Sequence, residues 1–135
     1  MARRRWRTGL RRTLATLPDA SRVLVLGDTP QMSHDVPECL MRTRRLAQCA
    51  TRRSRAFDAD HDSAERQAAY AEGAAFITLN DQICPTDPCP VLANRFLIWR
   101  DETHLTATFT RLLAPSLGDH IRDVLAGAAV ARQDR

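Results

Sequence analysis

The sequence contains no lysine, because all 20 basic residues among its 135 are arginine. No stretch approaches the ~18 consecutive apolar residues that a transmembrane helix needs, and no hydrophobic region of the secretory-signal type follows the arginine-rich N-terminus. We therefore expect neither a membrane span nor an export signal in the chain as written. Aromatic residues make up only 5% of the sequence, so leucine, valine, isoleucine and alanine must build the core of what its length predicts to be one domain.

Charge is divided unevenly along the chain. Residues 1–55 hold 13 arginines against four acidic residues, a net charge of +9, whereas residues 56–135 hold 7 arginines against 12 acidic residues, a net charge of −5. A basic segment of this kind can bind phosphates non-specifically. However, Trp6 is the only aromatic residue among the arginines of the N-terminus and no nucleic-acid-binding motif is present, so we interpret the arginines as a solvated face and expect no specific nucleic-acid partner. The alternative is a basic binding module for nucleic acid or another anionic surface on an α/β scaffold.

Apolar periodicity alternates between strand-like and helix-like segments. The predicted elements are a basic helix over 5–18, strands over 22–26, 75–79 and 95–99, a helix over 62–73, and a long C-terminal helix from 104 to 131 interrupted at Pro115. This alternation predicts an α/β fold with a partial, doubly wound parallel sheet of about three strands and flanking helices. We divide the chain into a basic N-terminal helix over 1–20, a partial α/β domain over 21–131 and a frayed tail over 132–135.

An acid and a histidine follow the third predicted strand at a spacing of three. Asp101 and His104 lie in the segment Arg100–Thr106, at the carboxyl end of a strand, where open α/β sheets place their ligands. A carboxylate at that spacing can orient an imidazole that acts as a general base. A plainer interpretation is that Asp101 caps the last helix and His104 is a polar residue of its first turn.

Four segments in order carry a resemblance to a known family. The segment Trp99–Thr106 resembles the last sequence block of SGNH hydrolases, Asp-x-x-His followed by Leu-Thr. The segments Val23–Pro30, Asp35–Leu40 and Ile83–Val91 are similar to parts of the SGNH domain that is fused to membrane acyltransferases of the acyltransferase-3 family. The resemblance covers roughly residues 6–117 and implies the SGNH, flavodoxin-like fold.

The resemblance implies O-acyl transfer or ester hydrolysis on cell-surface polysaccharide. It assigns His104 as the base and Asp101 as its orienting partner, and no cofactor or metal is implied. The Gly-Asp-Ser, glycine and asparagine blocks of the family precede the matched region and do not occur in this sequence. We therefore predict a fragment of an acyltransferase or esterase domain that lacks its serine nucleophile and is inactive alone. Its implied partners are an acylated sugar or an acyl donor, reached through a membrane acyltransferase domain.

One threonine is a candidate for the missing nucleophile. Gly27-Asp28-Thr29 follows a buried strand and superficially resembles Gly-Asp-Ser with Thr29 as nucleophile. Pro30 follows directly, whereas a nucleophile elbow opens a helix. We interpret the segment as a turn at a strand end.

Four cysteines, at positions 39, 49, 84 and 89, allow three disulfide connectivities. From the residues alone, a zinc site and free thiols are alternatives, although the Cys-x-x-Cys spacing of zinc knuckles is absent. The resemblance implies the pairs Cys39–Cys49 and Cys84–Cys89. Disulfides need an oxidising compartment, which agrees with the periplasmic or cell-surface location that the resemblance implies.

Overall fold

In a computed structural model of the protein, which describes residues 2–18 and 22–127 with side chains from Arg4 onward, the chain divides into two units. The first unit contains the described residues up to Asp28, Ala59–Thr78 and the described residues from Ser116; the second contains Thr29–Asp58 and Leu79–Pro115. The architecture is mixed α/β, as the alternating pattern predicts. The predicted tail 132–135 lies outside the described residues.

The elements are named in chain order. They are α1 (Ala2–Leu14), β1 (Leu24–Leu26), α2 (Val36–Thr43), α3 (Leu46–Cys49), α4 (Arg53–Ala56), α5 (Ala59–Ala71), β2 (Ala75–Ile77), α6 (Asn80–Ile83), β3 (Leu92–Ala93), β4 (Phe96–Leu97) and α7 (Ala107–Leu125).

A short parallel sheet forms the centre of the first unit. β1 pairs with β2 in register from Leu24 opposite Ala75 to Leu26 opposite Ile77. One face of the sheet packs on a core in which Phe76 is buried, and Val25 lies against that core. β-Branched and aromatic side chains suit such a pleated, half-buried surface.

Helices α1 and α5 pack against each other in the first unit. The Trp6 indole Nε1 donates to Glu65 Oε1 at 3.1 Å, and Arg11 Nε donates to Glu72 Oε1 at 2.6 Å. α5 ends at Ala71, near the end of the helix predicted over 62–73. Gly73, two residues later, has a φ of 72°, a conformation that favours glycine after a helix.

Two disulfides hold the second unit, where most regular elements are only two to four residues long. They join Cys39 to Cys49 and Cys84 to Cys89, the pairing that the resemblance implies. A backbone hydrogen bond from Cys89 N to the carbonyl of Thr51, at 2.8 Å, connects the segments that carry them.

The third predicted strand does not extend the parallel sheet, which has two strands in the part of the chain that the structure describes. β4 instead pairs antiparallel with β3 through the two-residue turn Asn94-Arg95. Both turn residues have positive φ, 47° and 71°, which is the conformation of a type I′ hairpin turn. The prediction was wrong here because arginine occupies a position where glycine usually marks such a turn.

The predicted interruption at Pro115 is also wrong. α7 continues from Ala107 to Leu125 with Pro115 inside it. Proline lacks the N–H that would bond to the carbonyl four residues earlier, but here the loss of that single bond does not end the helix. The predicted residues 128–131 of this helix lie outside the described residues.

Candidate active site

The segment between β4 and α7, in the second unit, is a turn anchored at both ends. Trp99 is fully buried and its indole Nε1 donates to the Pro90 carbonyl at 3.0 Å. The Arg100 amide donates to the His104 carbonyl at 2.8 Å and closes the turn. We call residues 100–105 the Asp–His turn.

Thr106 fixes the exit of the Asp–His turn. Its hydroxyl donates to the Leu97 carbonyl at 2.6 Å, and the same oxygen accepts from the Phe109 amide at 3.2 Å. α7 therefore begins after Thr106, at Ala107. The sequence-based prediction of a start at His104 was wrong. The side chain that accepts a hydrogen bond from an amide of the first helical turn is that of Thr106. The plainer interpretation, in which Asp101 caps the last helix, is therefore wrong.

Asp101 and His104 form a hydrogen-bonded pair. His104 Nδ1 lies 2.9 Å from each carboxylate oxygen of Asp101. Asp101 Oδ1 also accepts from the amides of Thr103 and His104, each at 2.8 Å. A carboxylate only accepts hydrogen bonds at neutral pH, so the Nδ1 of His104 carries the hydrogen and its Nε2 has the free lone pair.

The same contacts keep the carboxylate ionised. The pKa of Asp101 lies well below its usual value, and the largest cause is the hydrogen bond from the Thr103 amide. Partial desolvation raises this pKa, whereas the hydrogen bonds from the amide and the imidazole of His104 lower it further. An ionised Asp101 can stabilise a protonated imidazole, as the orienting residue of a general base must.

The outer nitrogen of the imidazole is accessible. The side chain of His104 is 62% exposed, against 32% for Asp101, and no described residue, within 2–18 and 22–127, bonds to His104 Nε2. The arrangement can therefore accept a proton at Nε2 from an incoming group while Asp101 holds the ring.

Thr29 lies beside the Asp–His turn in the second unit. Its hydroxyl donates to the Thr103 carbonyl at 3.4 Å, and the Met32 amide donates to the Glu102 carbonyl at 2.7 Å. The sequence did not indicate that residues after β1 would contact this turn. The hydroxyl hydrogen of Thr29 is directed at a main-chain carbonyl, which favours a structural role.

Gly27, two residues before Thr29, has a packing role. A Cβ at Gly27 would lie 2.9 Å from Cζ of Phe76, inside the first unit. Glycine is therefore needed for close packing on Phe76, a reason independent of any nucleophile motif.

The cysteine pair beside His34 is the candidate metal-binding group. Ligand atoms of His34, Cys39 and Cys49 lie within 4.8 Å of one another. The two sulfurs are joined in a disulfide, however, and thiolates are the form that binds metal. The Nε2 atom of His34 instead makes a hydrogen bond with the Cys49 carbonyl at 3.0 Å.

Several arginines among residues 1–55 make intramolecular contacts. Arg53 bonds through its guanidinium to the Cys84 carbonyl and to Asp81 Oδ1, and it lies over the Phe57 ring at 4.6 Å. Arg11 pairs with Glu72 on α5. These residues stabilise their own units, a role that charge counting did not indicate.

Comparison with known proteins gives two matches. A family model described as the SGNH domain fused to AT3 domains matches residues 2–119, which confirms the resemblance. The periplasmic domain of a lipopolysaccharide acetyltransferase from Salmonella ser. Paratyphi A is similar in structure, with a TM-score of 0.54 and 18% identity, over 75% of this chain and 42% of that chain. No curated protein matches the sequence.

The Salmonella domain is longer than the part of it that this chain matches. At 18% identity the structural likeness shows the fold alone, and this chain spans less than half of the Salmonella chain. Among residues 2–18 and 22–127, no helix is both long and apolar enough to cross a membrane.

Proposed function

Because the chain belongs to the family of SGNH domains that are fused to acyltransferase-3 domains, we propose that it provides the Asp–His part of an O-acyltransferase or esterase site. Asp101 and His104 are the catalytic residues, and the serine that they serve is not among the 135 residues of this chain. The chain is therefore inactive by itself.

The observation that carries this proposal is the geometry of the Asp–His pair. Asp101 holds Nδ1 of His104 at 2.9 Å, and Nε2 is left open toward solvent. This is the arrangement of acid and base in a serine triad, in which the base removes the hydroxyl proton as the oxygen attacks an acyl carbonyl. The protonated imidazole then gives that proton to the leaving group.

The nucleophile has no counterpart in the sequence. Gly-Asp-Ser is absent, and Thr29, the residue that most resembles it, directs its hydroxyl to the Thr103 carbonyl. Neither the glycine nor the asparagine block that completes an oxyanion hole in the family occurs here. Without nucleophile and oxyanion donors, the pair retains little of the rate enhancement of a complete site.

The relatives support a proposal for the substrate class and the location. The family is fused to membrane acyltransferase domains, and the similar Salmonella domain is periplasmic and belongs to a lipopolysaccharide acetyltransferase. We therefore propose an acyl group delivered by a membrane acyltransferase and a cell-surface polysaccharide as acceptor. Two disulfides support an extracytoplasmic location, since such bonds persist in oxidising compartments.

A covalent chimera tests the function. The part of this chain that the structural likeness covers, 75% of its length, replaces the matching part of the Salmonella domain. Hydrolysis of p-nitrophenyl acetate is then measured for the chimera and for the 135-residue chain. We expect turnover by the chimera that falls by at least ~10²-fold in His104→Ala and Asp101→Asn variants, and no turnover above background by the chain alone.

Two substitutions serve as controls. His120→Ala removes a histidine of α7 outside the Asp–His turn, and Thr29→Ala removes the imitated nucleophile; both leave the turnover of the chimera unchanged. Turnover by the 135-residue chain that depends on His104 would contradict the absence of a nucleophile. A folded chimera whose activity ignores His104 would contradict the proposed role of the pair.

A further inference from the structure

The Cys39–Cys49 disulfide, in the second unit, has a histidine beside it. One ring nitrogen of His34 and the two sulfurs of this bond all lie within 4.8 Å of one another. In the part of the chain that the structure describes, no other three histidine, cysteine or carboxylate side chains are grouped in this way, so the Cys84–Cys89 pair lacks such a neighbour. Reduction of the first bond therefore places two thiols next to an imidazole.

Two contacts hold the imidazole of His34 in this position. Its Nε2 makes a hydrogen bond with the Cys49 carbonyl at 3.0 Å, and its Nδ1 lies 3.3 Å from the Ser33 hydroxyl. Metal-binding histidines in proteins donate one ring N–H to such an oxygen, which orients the ring and makes the other nitrogen a better ligand. Each ring nitrogen of His34 has an oxygen that can accept its hydrogen, so either tautomer leaves one nitrogen with a free lone pair.

The surroundings of the sulfurs favour thiolates once the bond is reduced. Thr43 Oγ1 lies 3.3 Å from the Cys49 sulfur and 4.0 Å from the Cys39 sulfur, within reach of both. The loop that the two cysteines close also carries three arginines, Arg42, Arg44 and Arg45. Positive charge near a cysteine favours the thiolate over the thiol, and the thiolate is the form that binds metal.

A tetrahedral zinc site requires only small movements from this arrangement. Zn–S bonds of about 2.3 Å and Zn–N bonds of about 2.0 Å place neighbouring ligand atoms roughly 3.6–3.8 Å apart. The histidine nitrogen is already within 4.8 Å of both sulfurs, so a shift of about 1 Å brings it to that distance. The Cα atoms of Cys39 and Cys49 are 5.7 Å apart, a separation from which side-chain rotation can move the released sulfurs apart.

We propose that reduction of the Cys39–Cys49 disulfide creates a Zn²⁺ site made by His34, Cys39 and Cys49, with water as the fourth ligand. A dithiol reduces the bond by thiol–disulfide exchange and itself becomes a disulfide, so that two electrons and two hydrogens pass to the cysteine sulfurs. Zn²⁺ then displaces one proton from each thiol to the solvent. The disulfide and the zinc site exclude each other, so oxidation of the cysteines releases the metal.

The charge of the complex suits its location. Two thiolates balance the charge of the ion, and the imidazole is neutral, so the bound site has no net charge. A neutral complex costs little to hold beside Cys49, whose side chain is fully buried. None of the three ligands belongs to the Asp–His turn, so the site is independent of the proposed function.

Metal binding by the 135-residue chain tests the site. The chain is reduced with a trialkylphosphine, because a dithiol would compete for the metal. Co²⁺ is the spectroscopic probe, since thiolate ligands give it charge-transfer bands, and added Zn²⁺ then displaces it. We expect one-to-one binding by the reduced chain and no such bands in the oxidised chain.

Two histidine variants form a matched pair. His34→Ala should weaken Zn²⁺ binding by at least roughly tenfold, because even the loss of an outer-shell partner of a ligand costs about 10- to 100-fold in affinity. His120→Ala makes the same change in the first unit and should alter the affinity by less than about twofold.

The alkylation rates of the four cysteines locate the site without any substitution. The reduced wild-type chain is treated with iodoacetamide with and without Zn²⁺, and each cysteine is followed by peptide mass spectrometry. We expect Zn²⁺ to slow alkylation of Cys39 and Cys49 by roughly tenfold or more, since a metal-bound thiolate reacts slowly. The rates at Cys84 and Cys89 should change by less than about twofold.

Four results overturn the inference. They are the absence of thiolate–cobalt bands in the reduced chain, the same bands in the oxidised chain, an affinity for Zn²⁺ that survives His34→Ala, and zinc protection that extends equally to Cys84 and Cys89. If His34→Ala fails to fold, the alkylation pattern of the wild-type chain decides.

Discussion

Removal of the Cys39–Cys49 disulfide should release more chain entropy in the unfolded state than removal of Cys84–Cys89, and loss of either bond should destabilise the protein. The second unit contains both bonds, and its elements other than α2 and α7 are two to four residues long. Short elements have few internal hydrogen bonds, so cross-links contribute more to such a unit. We compare the variants Cys39→Ala/Cys49→Ala and Cys84→Ala/Cys89→Ala.

The expected magnitudes follow from the lengths of the closed loops. The bonded cysteines are separated by 10 and by 5 residues. The chain-entropy relation gives about 2.7 kcal/mol for the longer loop and about 2.1 kcal/mol for the shorter one at ~25 °C. For a chain of this size, about 2.7 kcal/mol corresponds to a fall in Tm of roughly 9 °C. Alanine also removes fully buried sulfur atoms, at Cys49 in the first variant and at Cys84 and Cys89 in the second, so each measured loss contains a packing contribution beside the loop entropy.

Urea unfolding followed by tryptophan fluorescence measures both losses. Buried Trp99 reports on the second unit, and wild-type protein treated with dithiothreitol provides the fully reduced reference. Equal midpoints for oxidised and reduced wild type would refute the reasoning. So would four reactive thiols in the unfolded, unreduced protein.

Three further predictions concern single side chains. The pKa of Asp101 is lowered from 3.8 in the folded protein. Its ionised form therefore stabilises the folded state above about pH 4, and this stability is lost as the pH falls through the folded pKa. The difference in unfolding free energy between wild type and Asp101→Asn should shrink over that acid range. Trp6→Phe deprives Glu65, 6% exposed, of an indole hydrogen bond of 3.1 Å, and urea unfolding should show a loss of about 1–3 kcal/mol, whereas Glu65→Gln, which keeps an acceptor for the indole, should lose less. Pro115→Ala restores an amide within α7 and should raise stability by up to ~3 kcal/mol, measured as a higher Tm; a lower Tm would contradict the helix through this position.

The sequence predicted those elements whose signals are local and repeated. Short runs of apolar residues that include β-branched and aromatic side chains predicted β1 and β2. An alanine-rich segment followed by Gly73 predicted α5. The parallel pairing of the two strands follows from their separation by helical segments. Each of these sequence patterns lies within the element that it predicts. The secondary structure that the residues favour locally is therefore the one in which they pack.

The elements that were mispredicted depend on conformations that composition does not report. Asn94 and Arg95 adopt positive φ and reverse the chain, although arginine rarely does so. α7 extends through Pro115 although proline usually ends a helix. In both cases the preference of a single residue is outweighed by the hydrogen bonding of the element that contains it.

The Asp–His pair could be predicted because its two residues are close in sequence, whereas the other parts of such a site come from distant segments. Its two members are three residues apart, and the amides of the intervening turn hold the carboxylate, so the turn requires few distant residues to form. A serine and its oxyanion donors come from other segments and enter the site only through the tertiary fold. An intact pair therefore gives no information about whether a nucleophile faces it. This is why the decisive measurement is the dependence of turnover on His104 once a serine-bearing segment has been supplied.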